Sequence, residues 1–171
     1  LREDGIIPPE TWLQGQMHIP NVVERMRSIQ NEYDIIIQSC HGDTGVIEAQ
    51  QTVDSLVLGP GRVGLSIATL LGDKISVLVP SQDIIDWIEF VYRKQYGFEN
   101  EIVSITSIGK NVDEMMDYYL AHREDAGIPS LVETAGNECI NAIENDDATA
   151  IVMGCDGFTW LGPHLNEYVT E

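Results

Sequence analysis

The sequence predicts an α/β protein with parallel sheets flanked by helices, arranged as two similar lobes. Short β-branched runs alternate with amphipathic helical patterns along the 171 residues, as is typical of parallel strands joined by right-handed crossovers. Two of these runs, at 34–45 and 148–157, each lead into a cysteine followed by a glycine-containing turn. The repeated pattern indicates a duplicated unit, so we expect lobes at 1–71 and 72–171 with the active site in the cleft between them.

The first lobe is predicted to begin with a loop, because residues 1–20 contain three prolines and little periodicity. Asn21 is then expected to cap a helix that ends near Glu32, since apolar residues recur there at helical spacing. The same periodicities predict four further elements: a strand at 34–39, a short helix at 46–53, a strand at 55–58, and a helix leading out of the glycine-rich turn at 59–64.

The second lobe is predicted to begin with a strand at 75–79, which Pro80 stops. Ser81 is expected to cap a longer amphipathic helix with Trp87 on its apolar side and basic residues near its C-terminus. The remaining predicted elements are a strand at 102–108, a helix at 113–123, a helix from Pro129 with Leu131, Val132, Ala135, Cys139, Ile140 and Ile143 on its buried side, and a strand at 148–153.

The charge of the chain narrows the range of its partners. Lys plus Arg number 9 against 28 Asp plus Glu, which gives a net charge of −19 at pH 7. Nucleic acids and anionic membrane surfaces are bound through clustered basic residues, so neither is an expected partner. No uninterrupted apolar run reaches the length of a membrane span, and we expect no basic-then-apolar leader. The two cysteine turns, and not the charge, are the reason to expect a small-molecule substrate as the partner.

Three cysteines without close spacing do not suggest the disulfide framework of a small secreted protein, so a cytoplasmic location is expected. Cys139 lies on the apolar side of a predicted helix and is expected in the core. His122 and His164 have no partner at the spacing of metal ligands. We therefore predict no metal site.

Cys40 and Cys155 end the two matched strands. Ligands bind at the carboxyl ends of parallel strands, where the N–H groups of helix N-termini also favour thiolates. Two thiols on opposite sides of a ligand could invert a carbon next to a carbonyl: one removes the proton and the other protonates the opposite face. Backbone N–H groups of the glycine turns would hold the enolate. The alternative is that each cysteine is simply a small buried apolar residue.

The turn at 59–64 fits the dinucleotide fingerprint G-x-G-x-x-G and lies between a predicted strand and a predicted helix. An NAD site also needs an acidic residue at the end of the next strand. That strand ends at Val79, and Asp83 comes only after the following proline. The other interpretation is a tight turn packed near the cleft, and a dinucleotide-binding regulatory domain stays open as the alternative.

Three runs of the sequence resemble the aspartate/glutamate/hydantoin racemase superfamily. They are Ser-Cys-His-Gly-Asp at 39–43, Leu-Gly-Asp-Lys-Ile-Ser-Val-Leu at 71–78, and Met-Gly-Cys-Asp-Gly at 153–157. The resemblance extends from Asp34 to Leu165, and the two cysteine turns are most similar to the hydantoin and allantoin racemase branch.

The resemblance implies a cofactor-independent racemase or epimerase with two pseudo-symmetric lobes, acting on a hydantoin-like or amino-acid-like substrate. Cys40 and Cys155, one from each lobe, would be its acid and base. An isomerase or decarboxylase of the same fold is the alternative reaction, and a homo-oligomer is expected because relatives commonly form one. The residues that would contact the substrate are His41, Gly42, Asp43, Thr44, Ser81, Asp156, Gly157 and Phe158.

Three features depart from the superfamily pattern. Members usually have a further strand at each end of the matched region, so the first lobe is expected to lack its first strand. Ser81 follows a proline where a pair of hydroxyl-bearing residues is common. Asp156 stands where a small residue is commoner, and its carboxylate would raise the pKa of Cys155 and suit that thiol to donate a proton. His41 would instead favour a thiolate at Cys40.

Overall fold

The structure, a computed structural model, describes residues 11–111, 113–115, 117 and 129–170, with the backbone alone at Phe158. Two parallel sheets organise this part of the chain, and their strands are β1 (Ile35–Ile37) paired with β2 (Leu56–Leu58), and β3 (Ile75–Val79) between β4 (Ile102–Ser107) and β5 (Ala150–Met153). The predicted α/β class, with parallel sheets flanked by helices, is confirmed.

The described α-helices are α1 (Trp12–Ile29), α2 (Val46–Gln50), α3 (Pro60–Leu71), α4 (Ile85–Glu89), α5 (Pro129–Asn145) and α6 (Gly162–Thr170). A π-helical segment, Phe90–Gln95, continues α4, and 3₁₀ turns form at Gln82–Ile84 and Asp156–Leu161. Residues 113–115 and 117 are helical, whereas the rest of the helix predicted at 113–123 lies outside the described residues. None of the described helices has the length and apolar character needed to cross a membrane.

The first helix differs most from its sequence prediction. α1 begins at Trp12 rather than after Asn21, so the loop predicted at 1–20 is wrong from residue 12 onward. Thr11 caps the helix, and its side-chain oxygen accepts a hydrogen bond from the backbone N–H three residues later at 3.3 Å. Pro20 lies inside the helix, where it removes a single backbone donor. The prediction failed because it treated this proline as a breaker.

The other elements lie near their predicted positions. The strand at 75–79 has the predicted bounds. Each of the other strands is shorter than predicted at one or both ends. The helix predicted after Ser81 is not continuous, because Ser81 caps a 3₁₀ turn that precedes α4 and the π-helical segment. On α5, Ala142 is buried while Ile143 is 39% exposed, so the predicted burial of Ile143 is wrong.

Strand β3 lies at the centre of the core. Val77 and Val79 pack on one side of it with Leu65 and Ala68 of α3, whereas Leu78 packs on the other side with residues of α5 and α6. A separate cluster packs α1 and α2 against β1 and β2. Helix α3 thus leaves β2 in one sheet and packs on the other sheet. The lobe boundary predicted after residue 71 stays a prediction.

Candidate active site

Cys40 follows β1 and opens a compact, mostly buried turn. Its backbone N–H donates to the side-chain oxygen of Gln38, and its carbonyl accepts the N–H of Asp43 at 2.8 Å. Burial, the largest effect, raises the pKa of the Cys40 thiol, whereas the Gly42 N–H and the Thr44 hydroxyl facing the sulfur lower it. The pKa therefore lies above its ordinary value, although two donors are in place for a thiolate.

Asp43 joins the Cys40 turn to the first turn of α3. Its backbone is left-handed, with φ of 51°, and its side chain is buried. One carboxylate oxygen accepts the Gly61 N–H at 2.9 Å, and the other accepts the Arg62 N–H at 2.8 Å. A carboxylate is stabilised at a helix N-terminus by the unpaired N–H groups and the helix dipole. The Asp43 side chain, which the sequence analysis placed in the substrate site, is thus engaged in holding two elements together.

Close packing accounts for Gly59 and Gly61 in the turn at 59–64. A Cβ at Gly59 would lie 2.3 Å from the Asp43 carboxylate, and one at Gly61 would lie 2.3 Å from the His41 carbonyl oxygen. The N–H groups that would bind a pyrophosphate already hold Asp43. This arrangement favours the tight-turn interpretation over dinucleotide binding. Within the described ranges, no group of three or more His, Cys, Asp and Glu side chains is placed to hold a metal ion.

His41 is buried against Tyr92. The Tyr92 hydroxyl donates to the His41 carbonyl at 2.6 Å and lies 2.5 Å from the ring Nδ1. Because the single hydroxyl proton goes to the carbonyl, Nδ1 carries the ring proton and donates it to the Tyr92 oxygen. Burial lowers the pKa of His41 to about 4, so the ring is neutral at pH 7. His41 therefore does not supply the positive charge expected beside Cys40.

The buried state of His41 predicts a specific acid sensitivity. Its pKa falls from 6.5 to about 4 on folding, so the unfolded chain takes up the proton first as the pH drops. The stabilisation is complete above pH 6.5 and is lost as the pH falls toward 4. We expect this residue to contribute about 3 kcal/mol to the loss of unfolding free energy across that window.

Urea denaturation at closely spaced pH values, for the unmodified chain and for His41→Asn, checks this expectation. The difference between the two unfolding free energies should narrow steadily from pH 7 to pH 4. A difference that stays constant across the window would show that His41 is not held neutral in the folded protein.

Cys155 begins the second turn, immediately after β5. Its neighbour Gly154 donates its N–H to the carbonyl of Leu78 at 2.7 Å, and a Cβ at Gly154 would lie 2.8 Å from the Val79 side chain. Glycine therefore lets the end of β5 pack directly on β3. Burial raises the pKa of Cys155 to about 11, and the Gly157 N–H partly opposes this rise.

The two cysteine turns lie close enough to interact electrostatically. The charge of Cys40 raises the pKa of Cys155, and the charge of Asp156 raises the pKa of both thiols. Asp156 in turn has a raised pKa, first through burial and then through the charge of Asp43. The first turn also approaches strand β5, because His41 Nε2 and a methyl group of Val152 both lie within 4 Å of the Cβ position of Gly64.

Two polar atoms in these turns are buried without a hydrogen-bond partner of normal geometry in the described part of the chain. They are Thr44 Oγ1 and Asp156 Oδ2. A buried polar atom without a partner costs free energy, so most such atoms in proteins are paired with protein, water or ligand. The Thr44 hydroxyl faces the Cys40 sulfur, so Asp156 Oδ2 is the atom for which the described residues supply no donor.

The remaining predicted site residues differ in their surroundings. Gly42 is buried against Trp87, whose ring would lie 2.6 Å from a Cβ at that position. Ser81 follows β3 and uses its hydroxyl oxygen to cap the next turn, accepting a backbone N–H at 3.1 Å. Gly157 lies beside the Cys155 sulfur, which a Cβ would approach to 3.4 Å. The side chain of Phe158 lies outside the described structure.

Two tyrosines that were not predicted from the sequence support the first turn. Tyr92 lies on the π-helical segment after α4, and Tyr96 is the residue at its C-terminal cap. Tyr92 holds His41, and the Tyr96 ring lies 5.3 Å below the Arg62 guanidinium. Tyr92 continues the helical spacing of the apolar residues before it, so its burial was open to prediction. Its hydrogen-bond partner lies 51 residues away in sequence and carries no local signal.

Comparison with known proteins agrees with this architecture. The Asp/Glu/Hydantoin racemase family model matches residues 4–170. A hydantoin racemase from Pseudomonas sp. (strain NS671) is 27% identical over 159 residues, which cover 92% of this chain and 60% of the relative. The chain therefore spans less than two thirds of the length of that protein.

Solved structures of low sequence identity share the fold. An allantoin racemase from Klebsiella pneumoniae matches with a TM-score of 0.79 and 23% identity, over 97% of this chain and 64% of that one. The allantoin racemase from Pseudomonas fluorescens matches with a TM-score of 0.80 and 21% identity, over 94% of this chain and 64% of that one. A mutant arylmalonate decarboxylase matches with a TM-score of 0.65 and 16% identity, over 94% of this chain and 69% of that one.

Proposed function

The chain belongs to the Asp/Glu/hydantoin racemase family, and from this premise we propose that it is a cofactor-independent racemase or epimerase. Its substrate would be a hydantoin-like small molecule with an acidic C–H next to a carbonyl. The names of its relatives support this class, since one is a hydantoin racemase and two are allantoin racemases. Cys40 and Cys155 would be the two proton-transfer residues.

The observation that carries this proposal is the placement of the two thiols. They follow strands of different sheets, yet the charge of one raises the pKa of the other. Cys40 packs against the core on the face of β3 formed by Val77 and Val79, whereas Cys155 packs against the core on the opposite face. Two thiols that reach one ligand from separate walls can address both faces of a planar carbanion, which a single base cannot do.

Inversion would proceed in two proton transfers. The Cys40 thiolate takes the proton from carbon, and the C–H electron pair moves into the adjacent carbonyl to give an enolate. The Cys155 thiol then gives its proton to the opposite face as the carbonyl re-forms. The sulfurs finish with their protonation states exchanged, and the reverse direction uses them in the opposite order.

The resting roles follow from the surroundings of each sulfur. Cys40 faces two donors, the Gly42 N–H and the Thr44 hydroxyl, whereas Cys155 faces the Gly157 N–H alone. The charge of Asp156 raises the pKa of both thiols, and the charge of Asp43 also raises that of Cys40, so the carboxylates do not separate the two roles. Because donors stabilise a thiolate, the second donor supports Cys40 as the thiolate and Cys155 as the proton donor.

Two alternatives are weaker on the same observations. A decarboxylase of this fold would protonate one face of a carbanion and would need one thiol, so a second thiol at Cys155 favours racemisation. Dinucleotide binding would require the N–H groups of α3 that Asp43 occupies. The homo-oligomeric state and cytoplasmic location stay predictions.

The test is solvent exchange on single enantiomers. In D₂O at mildly alkaline pH, which raises the thiolate fraction, each enantiomer of a 5-monosubstituted hydantoin should lose optical rotation and gain deuterium at the reacting carbon. The rate of loss of optical rotation and the rate of deuterium uptake should both rise in proportion to protein concentration. Retention of both rotation and hydrogen across a panel of hydantoins would rule out the proposed substrate class.

A further inference from the structure

We propose that Asp156 determines substrate specificity by accepting a hydrogen bond from an N–H group bonded to the reacting carbon. This inference rests on the proposed racemase function and deepens it by naming a residue of this chain that selects among hydantoin-like compounds. The selected compounds are those whose nitrogen next to the reacting carbon carries a hydrogen.

Hydrogen bonds to the backbone fix the turn that carries Asp156. Asp156 directly follows Cys155 and opens the 3₁₀ turn Asp156–Leu161. Two side chains of the turn brace it: the Thr159 hydroxyl donates to the Asp156 carbonyl at 3.0 Å, and the Trp160 indole N–H donates to the Gly157 carbonyl at 3.0 Å. The turn that carries Asp156 is therefore held directly after Cys155, and the carboxylate is near enough for its charge to raise the pKa of that thiol.

One oxygen of the Asp156 carboxylate lacks a donor. Its Oδ2 is buried without a hydrogen-bond partner among the residues that the structure describes. Burial and the charge of Asp43 both raise its pKa, and no basic side chain is among the groups that shift it. Asp43, by contrast, holds two backbone N–H groups of its own. A donor for Asp156 is therefore expected from the ligand.

The chemistry of the ligand follows from this acceptor. The reacting carbon of a hydantoin is bonded to a ring nitrogen that carries a hydrogen on one side and to a carbonyl on the other. A carboxylate accepts from the N–H and repels the carbonyl oxygen, so it sets the orientation of the ring. A free amino acid would bring its own carboxylate beside Asp156 and Asp43, where like charges repel.

Methylation of the substrate provides the test. The substrates are a 5-monosubstituted hydantoin and its analogue methylated on the ring nitrogen next to the reacting carbon. The unmodified protein should lose about ten- to a hundredfold in kcat/KM on the methylated compound, the range for one hydrogen bond to a charged group. The methylation ratio is the kcat/KM on the unmethylated compound divided by that on the methylated one. In Asp156→Ala this ratio should approach one, because the acceptor is gone, and in Asp156→Asn it should be intermediate.

Asp86→Ala is the matched control, since this aspartate is exposed on α4 and should keep the full ratio. Asp156→Asn preserves the shape of the side chain and reports on the contact if the alanine variant does not fold. An unchanged methylation ratio in both Asp156 variants would overturn this inference and leave the proposed racemase intact. Absence of turnover of both compounds by the unmodified protein would overturn the two together.

Discussion

Replacing either Cys40 or Cys155 by serine is expected to lower kcat/KM for racemisation by about a thousandfold, within the range for removal of a general acid or base. A serine hydroxyl is a far weaker acid than a thiol, so it neither holds the negative charge of a base nor donates readily to an enolate. Both losses are expected because one turnover uses both sulfurs.

The single variants should differ in a way that a merely structural role cannot reproduce. With one sulfur left, a proton can be removed from the face that this sulfur addresses and replaced there by deuterium from solvent. Each variant should therefore exchange one enantiomer without inverting it, and Cys40→Ser and Cys155→Ser should select opposite enantiomers. NMR detection of deuterium together with chiral chromatography resolves exchange from inversion.

Cys139→Ser supplies the control for these measurements. This third cysteine is buried in the core on α5, so the substitution should cost some stability and leave racemisation in both directions intact. Two-way racemisation by either Cys40→Ser or Cys155→Ser would refute the two-thiol scheme.

Among the substitutions considered, Asp43→Ala is expected to cause the largest loss of unfolding free energy. It removes an acceptor shared by two backbone N–H groups of α3 and places alanine at a left-handed φ of 51°. Hydrogen bonds to charged groups contribute about 1.5–3 kcal/mol each, and the left-handed backbone costs alanine about 1–2 kcal/mol. We expect a loss of about 4 kcal/mol, the lower end of the sum of these contributions, or a melting temperature lower by roughly 12 °C.

Asp43→Asn separates the two contributions. Asparagine tolerates the left-handed conformation and keeps one acceptor oxygen, so roughly half of the loss should be recovered. Thermal and urea unfolding of the three proteins give the comparison. Equal stability of Asp43→Ala and the unmodified protein would mean that the carboxylate does not hold the start of α3.

The elements that were predicted correctly are those that a local sequence pattern determines. The run at 75–79 is fully buried, so its continuous apolar residues predicted β3 at its observed bounds. The cysteine turns were recognised because strand, cysteine and glycine are adjacent in the chain. The start of α1 was missed because one threonine cap and a tolerated proline outweigh the usual effect of Pro20.

Long-range pairing accounts for the other failures. Asp43 and Gly61 lie 18 residues apart, and His41 and Tyr92 lie 51 apart. Neither pair has a periodicity that marks it, so the sequence could suggest the polar residues but not the atoms they meet. His41 was misjudged for this reason, because its charge state depends on burial beside Tyr92.

The crossing of α3 between the sheets has a mechanical consequence. Asp43 fastens the Cys40 turn to the start of α3, which packs on β3, and Tyr92 fastens His41 to the same core. The first thiol thus originates in one sheet and is anchored to the other, the sheet that also bears Cys155. A hinge motion between the two sheets would therefore carry both sulfurs together, and the spacing that the proposed mechanism requires between them would not change during such a motion.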